Sequence, residues 1–65
     1  MNDFEVGDSV LYIPTHVYGD KTHPDCEHGV VSCVKGNRVW VRYVSRQGVL
    51  QANGALTPKE NLVKE

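Results

Sequence analysis

The chain has 65 residues, with seven Lys and Arg against eight Asp and Glu, 40% hydrophobic and 23% charged side chains, six glycines and three prolines. That length excludes two-domain, repeat and fibrous architectures, and the near-neutral balance without a low-complexity tract is that of a folded domain rather than a disordered one. A chain this short buries only about 60% of its unfolded surface, so a core of roughly ten side chains and a modest stability are expected.

No segment approaches the roughly 20 apolar residues of a membrane span. The opening Met1-Asn2-Asp3-Phe4-Glu5 is acidic where a signal peptide would be basic, so no membrane partner and a cytoplasmic location are expected. Cys26 and Cys33 are too few for a disulfide scaffold and read as free thiols.

No window of eleven or more residues keeps a helical apolar period without Gly or Pro interrupting it, so strands carry the fold. Ser9-Val10-Leu11-Tyr12-Ile13 is β-branched and aromatic, is entered through Gly7-Asp8 and is stopped by Pro14, which has no N–H for a ladder. Gly29-Val30-Val31-Ser32-Cys33-Val34 reads as the second strand, and Lys35-Gly36-Asn37 as a tight hairpin. Arg38 to Val44 alternates strictly, the clearest strand signal in the chain. After the turn Ser45-Arg46-Gln47-Gly48, the run Val49-Leu50-Gln51-Ala52 predicts a fourth, shorter strand closed by Asn53-Gly54. Thr57-Pro58 with Glu60 three residues after Thr57 predicts a capping box and a single helical turn before Leu62-Val63 resumes as the last strand.

Together these elements predict an all-β, small five-stranded barrel with a long loop between strands 1 and 2 and a short helical turn before the last strand. Phe4-x-Val6-Gly7-Asp8-x-Val10, Gly29-x-Val31 and Leu56-x-Pro58-x-x-x-Leu62-Val63 resemble the corresponding stretches of SH3-like barrels of the KOW and Tudor type. That resemblance covers nearly the whole chain and implies a single SH3-like domain over residues 1–65. The segment from Val6 to Val34, with Gly19-Asp20 and His23-Pro24-Asp25-Cys26-Glu27, is similar to small proteins encoded by bacteriophages and prophages, a group that implies no common activity.

Period two in the third strand places Val39, Val41 and Tyr43 on one face and Arg38, Trp40 and Arg42 on the other. The second set is a guanidinium–indole–guanidinium stripe that can stack on bases, pair with phosphates or anchor a protein partner. The alternative is that Trp40 lies under the long loop and its arginines are solvated. Charge is divided along the chain: residues 1–27 hold six acidic groups against Lys21, a net −5, and residues 28–65 hold six Lys and Arg against Glu60 and Glu65, a net +4. A total of −1 is far from the basic balance of non-specific nucleic-acid binders.

The fifteen residues Pro14 to His28 exceed ordinary loop lengths and form the expected functional element, with Tyr18 and His23 as contact residues and Arg46 as a further cation. The same stretch holds His16, His23, Cys26 and His28, with Cys33 beyond, donor types that a tetrahedral zinc site uses. Paired CxxC or HxxxH knuckles are absent, however, and the competing reading has His16 and His23 bonded within the loop and Cys26 packed beneath it. For catalysis, Cys26 with His23 or His28 supplies nucleophile and base types but no orienting third group. The plasmid-borne type II dihydrofolate reductases are short SH3-like barrels with a Val-Gln-Ile-Tyr stretch; here Val49-Leu50-Gln51-Ala52-Asn53 matches only through Gln51.

The expected protein is therefore a non-enzymatic binding module without a cofactor. It contacts a host or phage protein, as inhibitor or adaptor, through the 14–28 loop and the Arg38/Trp40/Arg42 face. Nucleic acid is the alternative partner, and an exposed edge strand or the Trp40 face leaves a homo-oligomer open.

Overall fold

The computed structural model describes residues 3–65; Met1 and Asn2 of the acidic opening segment lie outside the described residues. Five antiparallel strands form one sheet: β1 (Ser9–Tyr12), β2 (Glu27–Lys35), β3 (Arg38–Tyr43), β4 (Ala55–Thr57) and β5 (Leu62–Lys64), in the order β4-β3-β2-β1-β5. Three consecutive connections are between neighbours, and the last strand returns to the free side of β1, with Leu11 opposite Val63. Among the described residues helical structure is confined to two 3₁₀ turns, Thr15–Val17 and Lys59–Asn61, and no helix is long and apolar enough to cross a membrane.

One face of the sheet supplies the core. Phe4, Val10, Val31, Val39, Val41, Tyr43 and Leu62 form a single buried cluster, with Tyr12 and Val34 packed against it. Val10, Val39 and Val41 are 0% exposed although no second sheet or long helix covers that face among the described residues. Phe4, from the segment before β1, belongs to that cluster, and one strand of the sheet carries a bulge, which adds local bend and twist. The bulge lies in β2: Val31 is opposite Val41, but Cys33 rather than Ser32 is opposite Trp40. This one-residue slip lets Val31 and Val34, three positions apart, both reach the core.

The hairpin between β2 and β3 turns on Gly36 and Asn37, with Lys35 opposite Arg38 and the positive φ of 56° on Gly36 alone. A positive φ at the first central residue is the pattern of a II′ turn, and glycine takes it without Cβ strain.

Three expectations are corrected. The fourth strand is Ala55–Thr57, whereas the run from Val49 to Ala52 makes only an isolated bridge between Leu50 and Val44. Ala55–Thr57 wins because Leu56 lies opposite Trp40 and Thr57 gains a buried partner, contacts that local propensity does not register. No capping box forms either. Pro58 is the N-cap of the last 3₁₀ turn without a side-chain bond, because the Thr57 hydroxyl accepts from Tyr43 Oη at 2.6 Å and donates to the Ala55 carbonyl at 3.1 Å. Third, the loop after β1 ends earlier than expected: Glu27 and His28 already belong to β2, paired with Tyr12 and Leu11.

Candidate functional site

Alternation in β3 separates core from surface as the sequence requires. Val39, Val41 and Tyr43 are buried, Arg38 is exposed, and Trp40 and Arg42 are half-buried on the outer face. Directly opposite residues of antiparallel strands share a face, so Cys33 of β2 and Leu56 of β4 flank Trp40 in one apolar row. Leu56 is 57% exposed, so this row continues to the open edge of the sheet.

Gly54 settles how Trp40 is covered. A Cβ there would collide with Ser32 Oγ and stand 3.0 Å from Trp40 Cβ, so the segment entering β4 runs directly over the bulge. Ser32 Oγ in turn donates to the Trp40 carbonyl at 3.2 Å. The indole therefore lies beside Gly54, in a hollow of about 280 Å³ lined by Ser32, Cys33, Lys35, Trp40 and Gly54, and not beneath the long loop.

Cations surround this row. Arg38 stands across the hairpin from Lys35, and Arg42 donates from Nε to the Gln51 carbonyl at 2.6 Å, which holds it against the 44–54 connection. Among the described residues the one carboxylate pair of a lysine or arginine is Lys64 with Asp8 at 3.5 Å, so Lys35, Arg38 and Arg42 have no carboxylate within ion-pair distance. Gln51, the residue matched to the reductases, is exposed and uses its backbone to bond Tyr43 and Arg42.

The long loop is held by its own polar groups. Successive turns are closed by Tyr18 N–H to the Thr15 carbonyl, Asp20 N–H to Val17, His23 N–H to Asp20 and Cys26 N–H to His23, at 3.0 to 3.2 Å. Asp20 Oδ1 accepts from both the backbone N–H and the hydroxyl of Thr22 at 3.0 and 2.7 Å, an Asx-type turn. These two bonds hold the Asp20 carboxyl below its ordinary pKa, the hydroxyl contributing most.

Across the loop, His16 Nε2 donates to Asp25 Oδ2 at 2.8 Å, and Asp25 N–H donates to His23 Nδ1 at 3.0 Å. The His16 bond is the main cause of a lowered pKa at Asp25, with His23, His16 and Arg46 adding electrostatic help against some desolvation. Cys26 Sγ donates to the Asp20 carbonyl at 3.2 Å, and His28 Nδ1 donates to Glu65 Oε1 at 2.8 Å. The four residues of zinc-donor type, His16, His23, Cys26 and His28, are thus spread over separate bonds, and among the described residues no three His, Cys, Asp or Glu side chains are grouped to hold a metal ion.

Loop and sheet define two surfaces rather than one. An open cleft of about 830 Å³ lies between the loop and the turn after β3, with Tyr12, His16, Asp25, Cys26, His28 and Arg46 in its wall. Arg38, Trp40 and Arg42 do not line it. Of the contact residues expected from the sequence, Arg46 joins the loop cleft, Arg38, Trp40 and Arg42 stay together on the sheet, and Tyr18 projects from the loop tip with 93% exposure. Sequence reasoning missed Cys33, Lys35, Gly54 and Leu56 as neighbours of Trp40, because all four are brought there by strand register. No family model, curated protein or solved structure matches this chain.

Proposed function

We propose that the chain is a non-enzymatic binding module, an SH3-like barrel of the phage type, that engages a host or phage protein as inhibitor or adaptor. The strand order, with β5 returning to β1 after a 3₁₀ turn, supports the barrel reading. So does the single buried cluster that residues of β1, β2, β3 and β5 share. The observation that carries the function is the outer-face row Cys33–Trp40–Leu56, half-buried to exposed, bordered by Lys35, Arg38 and Arg42, which have no carboxylate partner among the described residues.

An indole in a shallow hollow beside an exposed leucine is the composition of a protein–protein hot spot. The cations around it select a partner whose apolar side chain is flanked by carboxylates, and like-charged surfaces are rejected. The loop's internal bonds lower the ordering cost of contacts made at its own, separate surface.

Capture from host lysate by wild type and by Trp40→Ala tests this reading. A protein retained by wild type and lost by the variant, at a salt concentration that leaves the variant folded, is the expected result. Equal retention overturns it. Binding to an oligonucleotide with an affinity that falls steeply with salt, and less steeply for Arg38→Ala, would replace the protein partner by nucleic acid.

A further inference from the structure

Loop and outer face complement one another in charge and in aromatic character. At the loop tip Tyr18 holds a left-handed backbone, φ 52°, followed by Gly19 at φ 79°, and its ring is 93% exposed. A non-glycine residue in that region is uncommon; here the left-handed backbone caps the 3₁₀ turn, its N–H on the Thr15 carbonyl, and presents the ring outward at the tip. Asp20, held by Thr22, adds a carboxylate two positions on, and Asp25 and Glu27 follow with Lys21 as the one opposing lysine or arginine of the segment. The outer face offers the inverse: Trp40 in its hollow, with Lys35, Arg38 and Arg42 unpaired among the described residues.

We propose that the 14–28 loop of a second copy of this chain docks on the Arg38/Trp40 face, head to tail, with Tyr18 against Trp40 and Asp20 facing Arg38 and Lys35. This deepens, and rests on, the reading of that face as a protein-binding surface. The contact is heterologous: a pair of copies keeps one free loop, on one copy, and one free face, on the other, so association continues to a ring or chain instead of stopping at a symmetric dimer. Charge attraction across the contact weakens as salt screens it. Self-docking also occupies the face that any other protein partner uses, so the two compete.

Sedimentation of the purified chain over a concentration series is the test, with circular dichroism as the control for folding. The average mass of wild type is expected to rise beyond two copies and to fall again at high salt. The loop variant Tyr18→Ala/Asp20→Lys and the face variant Trp40→Ala/Arg38→Glu are each expected to weaken self-association by about tenfold or more. Mixed in equal amounts they are expected to form a heterodimer that stops at two copies, since each supplies the half the other lacks. If the face variant does not fold, Arg38→Glu alone at its exposed position replaces it.

Wild type that stays monomeric into the millimolar range, a loop variant that associates like wild type, or a mixture that stays monomeric overturns the proposal. Monomeric wild type that still captures a lysate protein through Trp40 sinks self-docking alone. Failure of Trp40→Ala to alter capture sinks the binding face itself.

Discussion

Gly54 is the residue at which the outer face tolerates least. Its neighbours leave no room for a methyl group, since a Cβ meets Ser32 Oγ and Trp40 Cβ. Gly54→Ala is expected to destabilise the fold by about 1–3 kcal/mol, an overpacking cost, and to shift the fluorescence of Trp40. Denaturant unfolding followed at the tryptophan reads both effects. Tyr43 makes a second residue-scale prediction. Burial is the main cause of its raised pKa, opposed by the hydrogen bond to Thr57 and helped by Glu27 and Tyr12. A folded-state pKa above the unfolded one means that the neutral ring's contribution is fully present below about pH 10 and is lost as pH rises through the folded value. Tyr43→Phe is expected to cost about 1 kcal/mol at neutral pH, because Thr57 retains the Ala55 carbonyl as acceptor. The variant loses less stability than wild type between neutral and strongly alkaline pH; parallel losses in pH-dependent unfolding would contradict the account.

At the scale of elements, the loop and the last strand respond to different insults. Asp25 ties the loop through His16, and its lowered pKa makes that tie present above the unfolded carboxylate pKa and lost as pH falls through the folded value. The protection of the Cys26 amide against exchange, taken relative to its intrinsic rate at each pH, is therefore expected to fall on acidification below about pH 4, earlier than protection in β3, since its N–H bonds the His23 carbonyl inside the tied segment. Asp25→Asn is expected to show the lowered protection already at neutral pH. Leu62 is 4% exposed in β5, and Leu62→Ala is expected to cost about 2–4 kcal/mol, read as a fall in the denaturation midpoint.

The same scale explains what the sequence made legible. β3 could be read because its period of two is unbroken from Arg38 to Tyr43, so the separation of the indole from the valines followed directly. β2 could not be read fully: Val30, Val31, Cys33 and Val34 put apolar groups on both parities, and the bulge that resolves them depends on pairing with β3. β4 was hidden because Ala55-Leu56-Thr57 has weaker β character than Val49-Leu50, and its reward is the distant pairing with Val39 and Trp40. The intraloop role of His16 and His23 could be weighed from residue types, whereas His28 with Glu65, 37 positions apart, carried no local signal.

For the whole molecule, part of the sequence split of −5 over residues 1–27 and +4 over residues 28–65 appears as Asp20, Asp25 and Glu27 against Lys21 in the 14–28 segment and as Lys35, Arg38 and Arg42 on the sheet face, at different places on one small domain. Such an arrangement orients an approaching charged partner more than it strengthens the final contact. Binding at the outer face is accordingly expected to slow in association as salt is raised, with Arg38→Ala removing part of that dependence. Stability at this scale comes from the other face, where Val10, Val39 and Val41 have no solvent exposure.

The most direct measurement compares Trp40→Ala with Val41→Ala, neighbours on opposite faces of β3, for unfolding free energy and for capture of the partner that wild type retains. The account predicts that Trp40→Ala keeps a cooperative fold and loses the partner, while Val41→Ala loses about 1–3 kcal/mol of stability and, where folded, keeps the partner. A Trp40→Ala protein that retains the partner, or a Val41→Ala protein as stable as wild type, would contradict it.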